Sequence, residues 1–197
     1  KIKDIVAIEL NISCPNVEDE FGKPMACSTH KSAEVTRLVK DRLKEHGAGD
    51  VPVVVKLSPN AEDIVSIAGS VLKAGADGIT AINTVGPGMA IDIDSAQPIL
   101  ANKVGGLSGP AIKPLAVKIV YDIYKNYKCP IIGTGGVLTG RDAIEMMMAG
   151  ATLVGVGSAA WYRGQDVFGK IVEEMNEWCD QNGVKKLRDL IGKVHAA

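Results

Sequence analysis

Ile131-Ile-Gly-Thr-Gly-Gly-Val-Leu-Thr-Gly-Arg-Asp-Ala-Ile-Glu-Met-Met-Met-Ala-Gly-Ala-Thr-Leu-Val-Gly-Val-Gly-Ser158 is the stretch that decides the fold. Its first two residues open a short apolar strand that runs into Gly133-Thr-Gly-Gly136. Thr139 can cap a following helix that carries Ile144, Met147 and Met148 on one stripe and stops at Gly150. A second apolar run, Leu153–Val156, then ends in Gly157-Ser158. Two consecutive strands thus finish in exposed backbone amides. That arrangement cradles a phosphate after strands seven and eight of a (β/α)8 barrel, although an open α/β sheet also gathers phosphate sites at its strand C-termini.

Working outward, the same strand-then-helix unit recurs. Further apolar runs at Ile5–Leu10, Val53–Leu57 and Gly78–Ile82 are short and rich in Val and Ile, as parallel strands between helices should be. Helical stripes follow at Val35, Leu38, Val39 and Leu43, and at Ile64, Ile67, Ala68, Val71 and Leu72, the latter behind an Asn60 cap with Asp63 in its first turn. Ile112, Leu115, Ala116, Ile119, Val120 and Ile123 form another, with Pro110 and Pro114 tolerable near its start. Val167, Phe168, Ile171, Val172, Met175 and Trp178 form the last. Lys73-Ala-Gly-Ala-Asp and Met148-Ala-Gly-Ala-Thr each close a helix and feed a strand, a weak internal repeat. Two connections, Ser13 to about Ser32 and Asn83 to about Gly109, are long enough to be lids or binding loops. The class is α/β. Five strands cannot close a (β/α)8 barrel, so the chain is either an open doubly wound sheet or the C-terminal part of a barrel covering strands 4–8. Counting back from the phosphate cradle makes the first strand number four.

Composition narrows the function. The 197 residues are 46% apolar and 23% charged, a globular balance without signs of disorder. Lys plus Arg is 22 against 23 for Asp plus Glu, leaving no basic surplus for nucleic acid or an anionic membrane, and aromatics are only 4%. No apolar run approaches the roughly 18 residues of a spanning helix, and the first residues do not read as a signal peptide. The expectation is a cytoplasmic protein. Cys14, Cys27, Cys129 and Cys179 have no C-x-x-C spacing, and the three histidines have no metal spacing, so no metal or iron–sulfur site is expected on this chain.

Candidate chemistry gathers at strand ends. In Glu9-Leu-Asn11-Ile-Ser-Cys14-Pro-Asn16 a strand delivers Asn11 and then a thiol to the rim where α/β enzymes work. A lone cysteine is as readily a small core hydrophobe; the flanking amides and the strand terminus favour a working thiol at Cys14. Cys129 at a strand entry and Cys179 at a helix end read as structural, and Cys27 stays open. Lys56 is a cation at the end of an apolar strand and needs an anion beside it, either from the protein or from a ligand. Asn83 and Thr84 end another strand with two hydrogen-bonding side chains, though turn-forming Asn is an equal explanation. Gly105-Gly-Leu-Ser-Gly109 and Gly135-Gly136 are weak signals singly and stronger jointly.

Together these motifs carry a resemblance. Asn11-Ile-Ser-Cys14-Pro-Asn16, Val55-Lys56-Leu-Ser-Pro-Asn60, Ala76-Asp-Gly-Ile-Thr-Ala-Ile-Asn83-Thr84, the run Pro98 to Pro114 and Ile131-Ile-Gly-Thr-Gly-Gly136 resemble dihydroorotate dehydrogenase, most closely its class 1B form. The likeness extends over essentially the whole chain but only over the C-terminal two-thirds or so of that family's barrel. It implies residues 1–197 as part of one FMN-binding (β/α)8 domain oxidising dihydroorotate to orotate in pyrimidine biosynthesis. By motif, Cys14 would be the base; Asn11, Asn83 and Thr84 would bind the pyrimidine. FMN would be held by Asn11, Lys56 and the backbone around Ile82, Gly109, Gly135, Gly136, Gly157 and Ser158, the last four around its phosphate. The resemblance also implies a homodimer and a partner subunit with FAD and an iron–sulfur cluster that passes electrons to NAD. The membrane-bound class is similar to a variant with a serine base, from which Cys14 departs. The Val17–Ser32 segment, with Phe21-Gly-Lys-Pro-Met-Ala-Cys27, looks like the pyrimidine-reducing domain of dihydropyrimidine dehydrogenase, so uracil or thymine is the alternative substrate class. A non-catalytic barrel fragment is the alternative of a different kind.

Overall fold

The computed structural model of the protein describes residues 5–13 and 27–196. In chain order the elements are β1 (Ile8–Asn11), α1 (Thr29–Glu45), β2 (Val53–Lys56), α2 (Ile64–Lys73), β3 (Gly78–Ala81), β4 (Val85–Gly88), β5 (Ile91–Asp92), β6 (Gln97–Pro98), β7 (Gly105–Leu107), α3 (Lys113–Tyr127), β8 (Ile131–Thr134), α4 (Gly140–Ala149), β9 (Leu153–Gly155), α5 (Ser158–Arg163) and α6 (Val167–Gln181). Among the described residues the expected five strands form one sheet in the order β1-β2-β3-β8-β9, with every neighbouring pair parallel. The first strand begins at Ile8 rather than Ile5 and reaches Asn11.

Strand order equal to chain order decides between the two architectures left open by the sequence. Right-handed crossovers that always step the same way keep their helices on one face, whereas a doubly wound sheet reverses direction. Accordingly α1 packs on α2, α2 on α3, and α3 on α4. Val53, Val55, Ile79, Ala81 and Ile131 point to that helical face and are fully or almost fully buried. Their alternates, Glu9, Val54, Lys56, Ile132 and Leu153, are only partly covered or exposed. The sheet is singly wound, and the doubly wound alternative is overturned.

Local chemistry sets the helix ends. Ser28 caps α1, accepting the Lys31 N–H at 3.3 Å. Thr139 and Asp142 form a reciprocal capping box on α4, which stops at Gly150 as its sequence predicts. A tight turn at Pro110–Ile112 precedes α3, placing both prolines where no N–H is missed. One cap differs from expectation: α2 is capped by Asp63, whose carboxylate takes the Ser66 N–H at 2.9 Å, and Asn60 turns elsewhere. Stripes are also narrower than their apolar residues suggest. Leu38 and Leu115 and, on α6, Phe168 and Val172 are exposed, while α1 buries Ser32 and Thr36.

The Asn83–Gly109 connection is not structureless. It holds two antiparallel ribbons, β4 with β7 and β5 with β6, standing over the C-terminal edge of the sheet. In the Ser13–Ser32 connection, residues 14–26, including Cys14, lie outside the described residues. No described helix is long and apolar enough to cross a membrane.

Candidate active site

Parallel strands deliver their last residues to a common rim, and here that rim is polar. Asn11 on β1 sits opposite Lys56 on β2, and Lys56 opposite Thr80 on β3. On the half-open face these residues share with Glu9, the Thr80 hydroxyl donates to Glu9 Oε2 at 2.7 Å, while Glu9 Oε1 lies 3.9 Å from Lys56 Nζ. The anion that Lys56 requires is therefore Glu9, one strand away. A carboxylate in the middle of β1, two residues before Asn11 and so on the same face by the two-residue period, was the signal for it.

Lys56 lines a cleft of about 130 Å³. Its walls include Ile82, Asn83, Thr84, Ser108, Gly109, Thr134, Gly135, Gly136, Gly155, Gly157 and Ser158. Nine of the residues singled out from the sequence (Lys56, Ile82, Asn83, Thr84, Gly109, Gly135, Gly136, Gly157 and Ser158) thus line one cavity. Asn11 is not on its wall. Its Oδ1 instead accepts from the backbone and hydroxyl of Ser13, at 3.2 and 2.8 Å, and Ser13 Oγ accepts from Asn83 Nδ2 at 2.7 Å. Asn83 is further fixed by taking the Thr84 N–H on its Oδ1 at 2.8 Å. Ser13, which the sequence did not single out, is the buried link that makes Asn11 and Asn83 one network.

The glycines form the opposite wall. Gly135 and Gly136 follow the last β8–β9 ladder pair, Thr134 with Gly155, and both have positive φ, 128° and 75°. At Gly136 a Cβ would lie 2.8 Å from both the Gly109 carbonyl oxygen and the Lys113 backbone nitrogen, so only glycine lets these three segments meet. At Gly157 a Cβ would meet nothing within 4 Å, which marks open space beside the cleft. Glycine-rich backbone, an ammonium and two hydrogen-bonding residues at strand ends thus line one cleft, a combination whose chemistry suits an anion.

Behind this wall the scaffold is ionic. Lys113 Nζ bonds Asp142 at 2.6 Å and Glu145 at 2.7 Å, and these hydrogen bonds, Asp142 foremost, raise the lysine above its ordinary value. Burial alone would raise the Asp142 carboxyl, but the Lys113 bond and donors at Leu138 and Thr139 outweigh it and hold the group below its ordinary range. Burial pushes the Cys129 thiol up, and burial with the neighbouring Asp180 does the same to Cys179, which fits their structural reading. Cys27 is half-buried just before α1. A larger hollow of about 960 Å³ lies on the helical side between α3 and α4, walled by residues such as Val117, Tyr121, Ile144 and Trp178, and lacks any glycine cradle.

A singly wound parallel sheet with glycine-lined ends after its last two strands and polar side chains on its C-terminal rim defines the class: an α/β protein whose candidate ligand site lies at its strand ends. Comparison with known proteins takes this further. The dihydroorotate dehydrogenase family model matches residues 1–179, and the chain belongs to that family. It is 47% identical over 188 residues to the dihydroorotate dehydrogenase B (NAD(+)) catalytic subunit of Methanocaldococcus jannaschii, covering 95% of this chain and 58% of the relative. It is 45% identical to the protein of the same name from Methanothermobacter thermautotrophicus, over 95% of this chain and 60% of the relative. A third, from Geobacter sulfurreducens, is 43% identical over 98% and 60% respectively. The chain therefore spans less than two-thirds of the length of these relatives.

Proposed function

We propose that the full-length protein oxidises dihydroorotate to orotate with FMN, and that residues 1–197 supply strands 4–8 of a single (β/α)8 barrel. What carries this is the cleft in which Lys56, Asn83 and Thr84 face the glycine wall of Gly109, Gly135, Gly136 and Gly157. A volume of about 130 Å³ is below the ~300–1,000 Å³ of complete ligand sites. It suits the phosphate-bearing part of a flavin nucleotide, with the rest of the site falling to segments outside this lining.

In this reading the backbone amides around Gly135, Gly136, Gly157 and Ser158 hold the phosphate, and backbone at Ile82 and Gly109 holds the remainder of the cofactor. Lys56, kept in place by Glu9, stands where negative charge develops on the ring system and stabilises it. Asn83 and Thr84, together with Asn11 through its Ser13 link, bind and orient the pyrimidine. Cys14, three residues beyond Asn11, accepts a ring proton of the substrate at Sγ, a task suited to a thiolate tuned near the working pH. When bound, FMN supplies the acceptor for the accompanying hydride.

The relatives are catalytic subunits of an NAD(+) enzyme, which supports a partner subunit, for which we propose FAD and an iron–sulfur cluster, alongside a homodimer of this chain in the cytoplasm. Replacing Cys14→Ala in the full-length protein is expected to abolish flavin reduction by dihydroorotate while FMN stays bound; undiminished reduction overturns the role. Dihydrouracil in place of dihydroorotate separates the uracil or thymine alternative, because only dihydroorotate carries a carboxylate. A flavin absorbance band that stays with the 197-residue chain after unbound FMN is removed would argue against a non-binding fragment.

A further inference from the structure

Asn60 belongs to the Val55-Lys56-Leu-Ser-Pro-Asn60 motif yet caps no helix and does not line the cleft. Its exposed side chain instead makes two hydrogen bonds to one backbone residue of a distant segment. Nδ2 donates to the Gly86 carbonyl at 2.6 Å, and Oδ1 accepts the Gly86 N–H at 3.1 Å. Its own backbone N–H is held by the buried Ser58 hydroxyl at 3.2 Å, which fixes the direction of the side chain.

Gly86 needs such a partner. The β4–β7 ladder pairs Val85 with Leu107 and Gly88 with Gly105, so Gly86 and Pro87 together oppose Gly106 alone in a bulge. Gly86 has φ 114°, and a Cβ there would lie 2.8 Å from Gly88 N. The Asn60 amide therefore supplies to the bulge the donor and acceptor that the ladder withholds, acting as one residue of an added strand. Two residues before Gly86 is Thr84, on the cleft wall. Across the ribbon, a Cβ on Gly106 would collide with Thr84 Oγ1, so the seating of the ribbon decides where that hydroxyl points.

We infer that Asn60 is a positioning residue for the pyrimidine pocket: it clamps the β4–β7 ribbon to the β2 terminus and thereby sets Thr84, and Asn83 behind it, for the ligand. This rests on the proposed assignment of Asn83 and Thr84 to the pyrimidine. The clamp touches neither the Gly135-Gly136 wall nor Lys56, so its loss should weaken pyrimidine binding without weakening the flavin site.

The test uses the full-length holoenzyme with Asn60→Ala and the isosteric Asn60→Asp, which keeps the volume and the acceptor but turns a carboxylate oxygen toward the Gly86 carbonyl. Orotate is titrated calorimetrically, flavin content is read from absorbance, and KM and kcat for dihydroorotate are measured separately. Two hydrogen bonds of ordinary strength correspond to an effect of about tenfold when part of their worth reaches the pocket. Both variants are expected to weaken orotate binding and raise KM by about that factor, with flavin content and kcat kept within about twofold. Unchanged orotate affinity in both variants overturns the inference, and so does a parallel loss of flavin, which would make the clamp a general brace. Failure of the unaltered holoenzyme to bind orotate would instead sink the assignment of the pocket, and the inference with it.

Discussion

Substituting Gly136→Ala tests the glycine wall at its tightest point. The residue has φ 75°, where an L side chain costs roughly 1–2 kcal/mol. The new methyl would lie 2.8 Å from the Gly109 oxygen and 2.8 Å from the Lys113 nitrogen, and 2.6 Å from Lys113 Cβ. Two of these three neighbours are backbone and cannot rotate away, so the loops must part, an overpacking cost of about 1–3 kcal/mol. The sum is about 2–5 kcal/mol, which for a chain of this size lowers Tm by roughly 4–20 °C. Because the methyl separates walls of the proposed phosphate site, FMN affinity should fall by about ten- to a hundredfold in the same protein. Gly157→Ala is the matched control: it lines the same cleft, has φ −123°, and its Cβ meets nothing within 4 Å, so its effect on Tm should stay within about 2 °C. Thermal unfolding of the two variants without cofactor, followed by fluorimetric FMN titration, gives both quantities. A Gly136→Ala protein as stable as the Gly157→Ala control would refute the reasoning.

Two further substitutions probe the frame behind the cleft. Asp142→Asn leaves the Lys113 ammonium with a neutral partner and presents an amide to donors at Leu138 and Thr139, a loss of about 1–3 kcal/mol measurable by urea unfolding at neutral pH. Because the folded-state carboxyl is held below its ordinary value of 3.8, its contribution is complete above that pH and disappears as pH falls through the lower folded value. The stability of the unaltered protein should therefore fall on acidification below about pH 4, and the Asn variant should lack this share of the fall; identical acid limbs would contradict it. Met146→Ala empties a fully buried site beneath Gly133 of β8 and should cost about 2–5 kcal/mol by chemical denaturation. A cost under about 1 kcal/mol would mean that the core closes over the gap.

What the sequence disclosed, and what it hid, follows from the range of the forces involved. The five strands were legible because burial between helices and an inner face demands short Val- and Ile-rich runs, and the ends of those runs named Lys56, Asn83 and the glycine wall directly. The α4 cap was legible because Thr139 and Asp142 act across a single turn. Asn60 was misread because it and Asp63 are both capping types three positions apart; only contact with Gly86, 26 residues away, shows which one is engaged elsewhere. The β4–β7 and β5–β6 ribbons were missed since strands of two to four residues, all but β5 containing Gly or Pro, carry no alternation to detect. Ser13 carries no signal of its own in the sequence, because its role rests on bonds to Asn11 and, across the rim, to Asn83. For Cys14 the sequence remains the sole witness, as it lies outside the described residues.

The contacts among Glu9, Lys56 and Thr80 tie three adjacent strands by charge and hydroxyl, in the same alignment that burial of the opposite face demands. Side chains alternate faces along a strand, so displacing β2 by a single position would send the ammonium among the helices and an isopropyl group into its stead. Alignment of the backbone and charge at the rim are thus inherited together. Lengthening the turn ahead of Val53 by one residue in an engineered variant should leave a protein that folds with ordinary helices or rejects the change outright, but not one that keeps its cation half a pleat out of place.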